Sequence, residues 1–327
     1  MIFVDNQGVT DPTINLAMEE YIVSGMNDDE TYLLFYINKP CIIIGKNQNT
    51  FEEINPVYVR EWELPVVRRL SGGGAVYHDF GNLNFSFITN REVDSFRNFR
   101  RFTEPVTSAL RELGVDAKMT GRNDIEVDGK KISGNAQFTA NDRMFNHGTL
   151  MFDVDLEAVT AALNVQADKI ESKGIKSVRG RVANIREYLQ TDMTIEDFRQ
   201  KLLHTIFSAE TVPTYEFTES DWRQIHLIAE HRYRDWDWNY GRSPEFNVRR
   251  SKRFPIGKID IRLDVKNGWV EQCKLYGDFF GTGDMKNIED RLVKCRYNYA
   301  DIRKAVEDVD FSYYFGDISL DEFLSLF

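Results

Sequence analysis

The chain has 327 residues, 42% of them hydrophobic and 13% aromatic, which supports a packed core and exceeds what one domain usually holds. That composition excludes the disordered and fibrous classes. A formal net charge of −11 argues against a nonspecific nucleic-acid binder, because counterion release needs a concentrated basic surface.

The opening MIFVDNQG lacks a basic region ahead of a long apolar core. The longest apolar runs, residues 32–37 and 41–44, fall well short of the roughly 20 residues of a membrane helix. The expected setting is the cytoplasm, without membrane or nucleic acid as partner. Three cysteines, Cys41, Cys273 and Cys295, are too few and too scattered for a disulfide framework, and no CxxC or HxxxH spacing offers a structural metal site.

In chain order, Asp11 and Pro12 have the cap and first-turn character of a helix start. Short β-rich runs follow around residues 31–37 and 41–45, and two more flank a glycine-rich stretch within residues 66–87. Residues 94–113 place Phe96, Phe99, Phe102, Val106, Ala109, Leu110 and Leu113 at helical spacing, with Gly114 as the stop and Pro105 as a point of division. Strands return between residues 115 and 153, punctuated by Asp128-Gly129 and Asn141-Asp142. A helix at residues 156–163 precedes a basic, loop-like segment, residues 167–185. Thr194 with Asp197 reads as a capping box opening a helix to about Ala209, and a second helix spans about 220–233. Residues 236–254 carry neither period and read as a connection. Beyond it, alternation over Ile259, Ile261, Leu263 and Val265, with a turn at Asn267-Gly268, predicts a hairpin. Two helices, around 288–294 and 299–306, close the chain.

Two dense motifs carry chemistry. The first, RRLSGGGAVYHD, joins Arg68 and Arg69 to three consecutive glycines. Bare backbone beside fixed positive charge suits an anion, although a glycine-rich turn with solvated arginines is the simpler alternative. His78 and Asp79 are adjacent on an extended segment and point to opposite faces, which favours a structural role over a catalytic pair. The second motif, GRNDIEVDGKKISGNAQ, adds Lys130 and Lys131 on the return strand of a hairpin, where alternation lets one of them point inward without saying which. Asn123 and Asp124 offer hard oxygens for a Mg²⁺ held mainly by phosphate, with turn capping as the alternative for Asp124. Together these parts suit carboxylate activation by a nucleotide. A carboxylate and an α-phosphate repel one another, and a lysine between them serves both.

These segments, with FNHGTL and SKGIKSVRGRVANI, resemble the lipoate–protein ligase A family over nearly the whole chain. The resemblance implies an α/β fold with mixed and antiparallel sheets flanked by helices: a catalytic domain binding lipoate and ATP over residues 1–247, and a small α/β accessory domain over 248–327. It implies that lipoate and ATP give lipoyl-AMP, and that a lysine of a lipoyl-accepting domain then takes the lipoyl group. Implied acceptors are the E2 subunits of 2-oxoacid dehydrogenases and the glycine cleavage H protein. By position, Lys131 matches the family's essential lysine. Arg69, Ser71, Gly73, Gly74, Ala75, Val76 and Tyr77 match the loop binding lipoate and nucleotide, and His147 matches a lipoyl-pocket residue. Asn123 and Asp124 match positions near Mg²⁺ and phosphate. Lys173, Ser177, Val178 and Arg181 match an adenylate-binding loop that closes over the intermediate and keeps water from the anhydride.

Related biotin–protein ligases carry a GRGRxxR-type loop that is absent here. Octanoyl and lipoyl transferases use a cysteine, for which Cys41 is the only candidate in the catalytic part, and its apolar strand raises a thiol pKa. A catalytically silent lipoate or nucleotide binder is a third alternative. The basic residues Arg249, Arg250, Lys252 and Arg253 are candidates for meeting an acidic acceptor domain, with a solvated linker as the simpler reading.

Overall fold

Asp11 accepts from the Thr13 backbone at 2.9 Å and Pro12 fills the first position of the Pro12–Gly25 helix, as expected from the capping residues. The computed structural model describes residues 1–26, 29–91, 98–140, 142–163, 180–240 and 247–327. Its strands are β1 (Ile2–Asp5), β2 (Tyr32–Ile37), β3 (Cys41–Ile44), β4 (Val66–Arg68), β5 (Val76–His78), β6 (Asn82–Asn90), β7 (Lys118–Thr120), β8 (Asp124–Val127), β9 (Lys130–Ala140), β10 (Arg143–Met151), β11 (Thr214–Glu216), β12 (Val248–Phe254), β13 (Gly257–Lys266) and β14 (Trp269–Gly277).

The chain divides into two compact units. The first comprises Met1–Ile44, Phe51–Arg69 and Ala75–Asn239; the second comprises Gly45–Thr50, Leu70–Gly74 and Tyr240–Phe327. In the first, an eight-stranded sheet runs β11-β1-β2-β6-β10-β9-β8-β7 and a three-stranded one runs β4-β3-β5. The large sheet is mixed: β1 pairs in parallel with β2 and β11, while β2, β6, β10 and β9 pair antiparallel. The α/β class with mixed and antiparallel sheets is therefore what the chain adopts.

Alternation along the central strands sorts their side chains by face. Leu33, Phe35, Leu83, Phe85 and Phe87 turn to one side, where Phe102, Val106, Ala109 and Leu110 of the Phe99–Glu112 helix and Phe198, Leu202 and Leu203 of the Ile195–Phe207 helix join them in the core. The opposite face lies against the Pro12–Gly25 helix. Pro105 does not divide its helix; the buried face on both sides of it outweighs the hydrogen bond it removes. The Thr194–Asp197 capping box is formed.

The second unit is the antiparallel sheet β12-β13-β14 with the helices Lys286–Leu292, Tyr299–Val306, Phe311–Tyr314 and Leu320–Leu324. Asn267 and Gly268, at φ 51° and 79°, make the hairpin turn. Residues 236–254 are not a plain connection. Trp236–Asn239 is a helical turn and Val248–Phe254 is an edge strand. Most of that strand is exposed on both faces, so no alternation was required of it. Among the described residues, no helix is long and apolar enough to cross a membrane.

Candidate active site

The site is built on the sheet face turned toward the Pro12–Gly25 helix. Cross-strand partners share a face, so the registers Leu34–Ser86–His147–Ala136 and Tyr36–Asn84–Thr149 lay two rows across it. Gly134 continues the second row, its N–H donating to Thr149 Oγ1 at 3.2 Å.

Lys131 reaches this face because of a β-bulge. Ile125 on β8 pairs with Ser133, but Glu126 pairs with Lys131, which leaves Ile132 as an extra residue. The two residues of a bulge lean to the same side, and both Ile132 and Ser133 are fully buried. Lys131 thereby falls on the other side, together with Gly134. Its ammonium lies 2.8 Å from Asp124 Oδ1, both side chains being about one-third exposed. A Cβ at Gly134 would stand 2.9 Å from Lys131 Nζ and 3.1 Å from its Cε. The missing side chain is the space in which the lysine lies. The backbone of Lys131 is held as well: its N–H donates to Arg181 O at 2.8 Å, and Ala183 N–H donates to its carbonyl at 3.0 Å.

Between these rows and the Pro12–Gly25 helix is a buried polar cluster. His147 Nδ1 lies 2.9 and 3.1 Å from the two oxygens of Glu19, and the Tyr36 hydroxyl donates to Glu19 Oε1 at 3.2 Å. Burial, then Glu19, raises the Tyr36 phenol well above its ordinary value. Burial pulls the Arg69 guanidinium down to about 10, against support from Tyr36 and Glu19, so it stays charged at neutral pH. Glu19 and Tyr36 were not singled out as site residues by sequence. The available signal was an acidic residue within a largely apolar helix that is buried around most of its circumference, where Glu19 is 1% exposed.

The glycine-rich stretch is divided in its duties. Gly72 is required by packing, since a Cβ there would meet Phe279 O at 2.5 Å, and Gly73 by its φ of +92°; Gly74 has open space around its missing Cβ. Ser71, Gly73 and Gly74 belong to the second unit, and Lys46 N–H donates to Ser71 O at 2.8 Å. Ala75 is half-buried, and Val76 and Tyr77, also half-buried, pair with Ile43 and Ile42. Arg68 serves the fold: its Nε donates to Trp238 O at 2.9 Å and its Nη2 to Asn239 O at 3.1 Å. Asp79 accepts from Gly81 N at 2.8 Å and Asp155 N at 2.9 Å. Cys41 is fully buried, and burial raises its thiol far above the reactive range.

Residues 11–207 match the lipoyl protein ligase A/B catalytic domain family, and residues 243–327 match the bacterial lipoate protein ligase C-terminus. The chain belongs to the lipoate–protein ligase family. It is 58% identical to lipoate-protein ligase LplJ of Bacillus subtilis (strain 168), over 100% of this chain and 99% of that protein. Its fold is similar to that of P. falciparum LipL1 in complex with lipoate, with TM-score 0.78 and 25% identity over 99% of this chain and 98% of the other. A structure of lipoate-protein ligase A bound with ATP matches with TM-score 0.62 and 26% identity, over 74% of this chain and 97% of that one.

In this ligase Arg181 stands beside Lys131, while Lys173, Ser177 and Val178 lie outside the described residues. Among the described residues no group of three or more His, Cys, Asp or Glu is placed to hold a metal. Asn123 Nδ2 donates to Asn135 O at 2.7 Å, which identifies the other amide atom as an acceptor oxygen. That oxygen and Asp124 suit a cation held chiefly by phosphate, which asks for only one or two protein oxygens. The basic residues of β12 are partly spent, because Arg249 pairs with Asp260 at 2.6 Å and Arg253 with Asp278 at 3.4 Å.

Proposed function

We propose that this ligase uses ATP to activate lipoate and passes the lipoyl group to an acceptor lysine. In the first step a lipoate carboxylate oxygen attacks the α-phosphorus, the bond to pyrophosphate breaks, and lipoyl-AMP forms. In the second, the acceptor amine attacks the acyl carbon, the bond to AMP breaks, and the amine loses its proton. One observation carries the assignment of Lys131: its ammonium lies against Asp124 in the space left by Gly134, on the sheet face that carries His147. A fixed cation there offsets the repulsion between carboxylate and phosphate in the first step and the developing charge on the acyl oxygen in the second.

Arg69, Ser71, Gly73, Gly74, Ala75, Val76, Tyr77 and His147 bind lipoate and nucleotide in this reading, and Lys173, Ser177, Val178 and Arg181 cover the adenylate. Asn123 and Asp124 would hold Mg²⁺, which would supply positive charge for the leaving pyrophosphate. Residues 1–247 carry the chemistry and residues 248–327 form the accessory domain. The acceptors are cytoplasmic lipoyl domains of 2-oxoacid dehydrogenase E2 subunits and the glycine cleavage H protein. The B. subtilis relative's name and the lipoate-bound and ATP-bound neighbours support this reading. The buried Cys41 counts against a cysteine-dependent transferase.

The test is lipoate-dependent exchange of labelled pyrophosphate into ATP, with and without Lys131→Ala. No exchange by the intact protein would falsify ATP-dependent activation. Acyl transfer without ATP, abolished by Cys41→Ser, would replace it with the cysteine mechanism.

A further inference from the structure

His78 ends a relay of buried amides whose orientations can be worked out in turn. Asn6 and Asn15 both donate through Nδ2 to the Val9 carbonyl, at 2.8 and 3.0 Å. A carbonyl only accepts, which fixes the nitrogen end of each amide. The order is then forced. Asn6 Nδ2 donates to Asn15 Oδ1 at 3.2 Å, and Asn15 Nδ2 donates to Asn38 Oδ1 at 2.9 Å. Asn38 Nδ2 is left against His78 Nδ1 at 3.0 Å. An amide nitrogen donates, so Nδ1 accepts and the ring proton sits on Nε2.

That Nε2–H is buried and has no hydrogen-bond partner among the described residues. Leaving a buried donor unmet costs about 1–3 kcal/mol. Asn15, in the relay, and Glu19, the partner of His147, stand one turn apart on the Pro12–Gly25 helix, which ties the ring to the polar cluster of the site. Burial, then the charges of Arg69 and His147, push the imidazole down to about 3, so the ring is neutral. A donor beside a guanidinium is complemented by an oxygen bearing negative charge, whereas a thioether-type sulfur accepts weakly.

We propose that the Asn6–Asn15–Asn38 relay locks His78 in the tautomer protonated on Nε2, and that this N–H donates to the lipoate acyl oxygen that persists from free carboxylate to mixed anhydride. The proposal rests on the ligase reading above. His78 touches the substrate, and Asn38 is a positioning residue acting through it. No bond is made or broken at the ring.

Nitrogen NMR of the intact, histidine-labelled chain reads the tautomer without ligand, with His78→Phe assigning the signal. The expected state is Nε2–H between about pH 6 and pH 9, and added lipoate shifts the Nε2 resonance. A proton on Nδ1, or an Nε2 signal unmoved by lipoate, overturns the proposal and leaves the donor to a structural water. His78→Phe raises the KM for lipoate in pyrophosphate exchange roughly 10- to 100-fold, with kcat nearly unchanged. Asn38→Leu raises it less, and an unchanged KM in either variant overturns the corresponding part. Octanoate, which keeps the carboxylate and lacks the dithiolane, loses affinity for His78→Phe by the same factor; loss confined to lipoate would move the contact to the sulfur end. Exchange by the intact protein with an unresponsive His78 sinks this proposal alone, whereas absence of exchange sinks the ligase reading.

Discussion

Two glycine-bearing segments look alike in sequence, each setting bare backbone beside arginine or lysine, yet their glycines answer different needs. At Gly72 the missing side chain admits the Phe279 carbonyl, so the vacancy is filled by the protein's own backbone. At Gly134 it is filled by the end of Lys131. Backbone contacts are unforgiving, because a carbonyl fixed in a packed unit cannot retreat cheaply. An ammonium on a flexible stem can move aside. One glycine therefore protects the fold, and the other protects the placement of a charge.

The sharpest test of this contrast is Lys131→Ala, expected to lower kcat for pyrophosphate exchange about 100- to 1000-fold while leaving the urea midpoint unchanged, since the side chain is about one-third exposed. Gly134→Ala comes next. Displacing the ammonium from Asp124 lowers kcat about 10- to 100-fold, with the lipoate KM and the urea midpoint held. A large loss of stability instead would mean that Gly134 serves packing as Gly72 does. Gly72→Ala is expected to cost about 1–3 kcal/mol in urea unfolding, and an unchanged midpoint would remove the contrast.

Acid titration separates the two roles further. His78 is held neutral with its pKa pushed down to about 3, while the unfolded chain takes up a proton near its ordinary value of about 6.5. Between those values the unfolded state binds more protons, so stability falls as pH falls, by at most about 1.4 kcal/mol per pH unit. His78→Phe should flatten that slope, and an unaltered slope would show that other groups set it. The smallest effect is expected at Arg250, exposed on β12, where Arg250→Glu should leave the acceptor KM within about twofold. A large rise would revive the basic docking surface.

The strands within residues 31–45, 66–87 and 115–153, the capped first helix, the capping box and the Asn267-Gly268 hairpin were legible because each is encoded locally, by period or by turn chemistry, whereas β11 and the exposed β12 carry no such period. The Phe311–Tyr314 and Leu320–Leu324 helices were not, because one turn is too short to establish a period. Lys131 could be named from its motif, but its direction could not, since simple alternation left Lys130 and Lys131 equal. From residue type alone Arg68 and Arg69 read alike, and only the family resemblance singled out Arg69. Only long-range contacts with Trp238 and Asn239 assign Arg68 to the fold. Glu19 and Tyr36 come to His147 from a helix and a strand distant in sequence, so no local pattern joins them.

The bulge at Ile132 acts as a parity device. Were the strand to run in simple alternation with Ile132 still in it, Lys131 would share a side with Ser133 and Asn135, and its charge would enter the apolar core while Ile132 surfaced among polar groups. Deleting Ile132 itself would leave Lys131 opposite Glu126 and on the side of Gly134, and would remove only a buried isoleucine. Loss of that one residue should therefore spare the direction of the lysine and cost packing in the core.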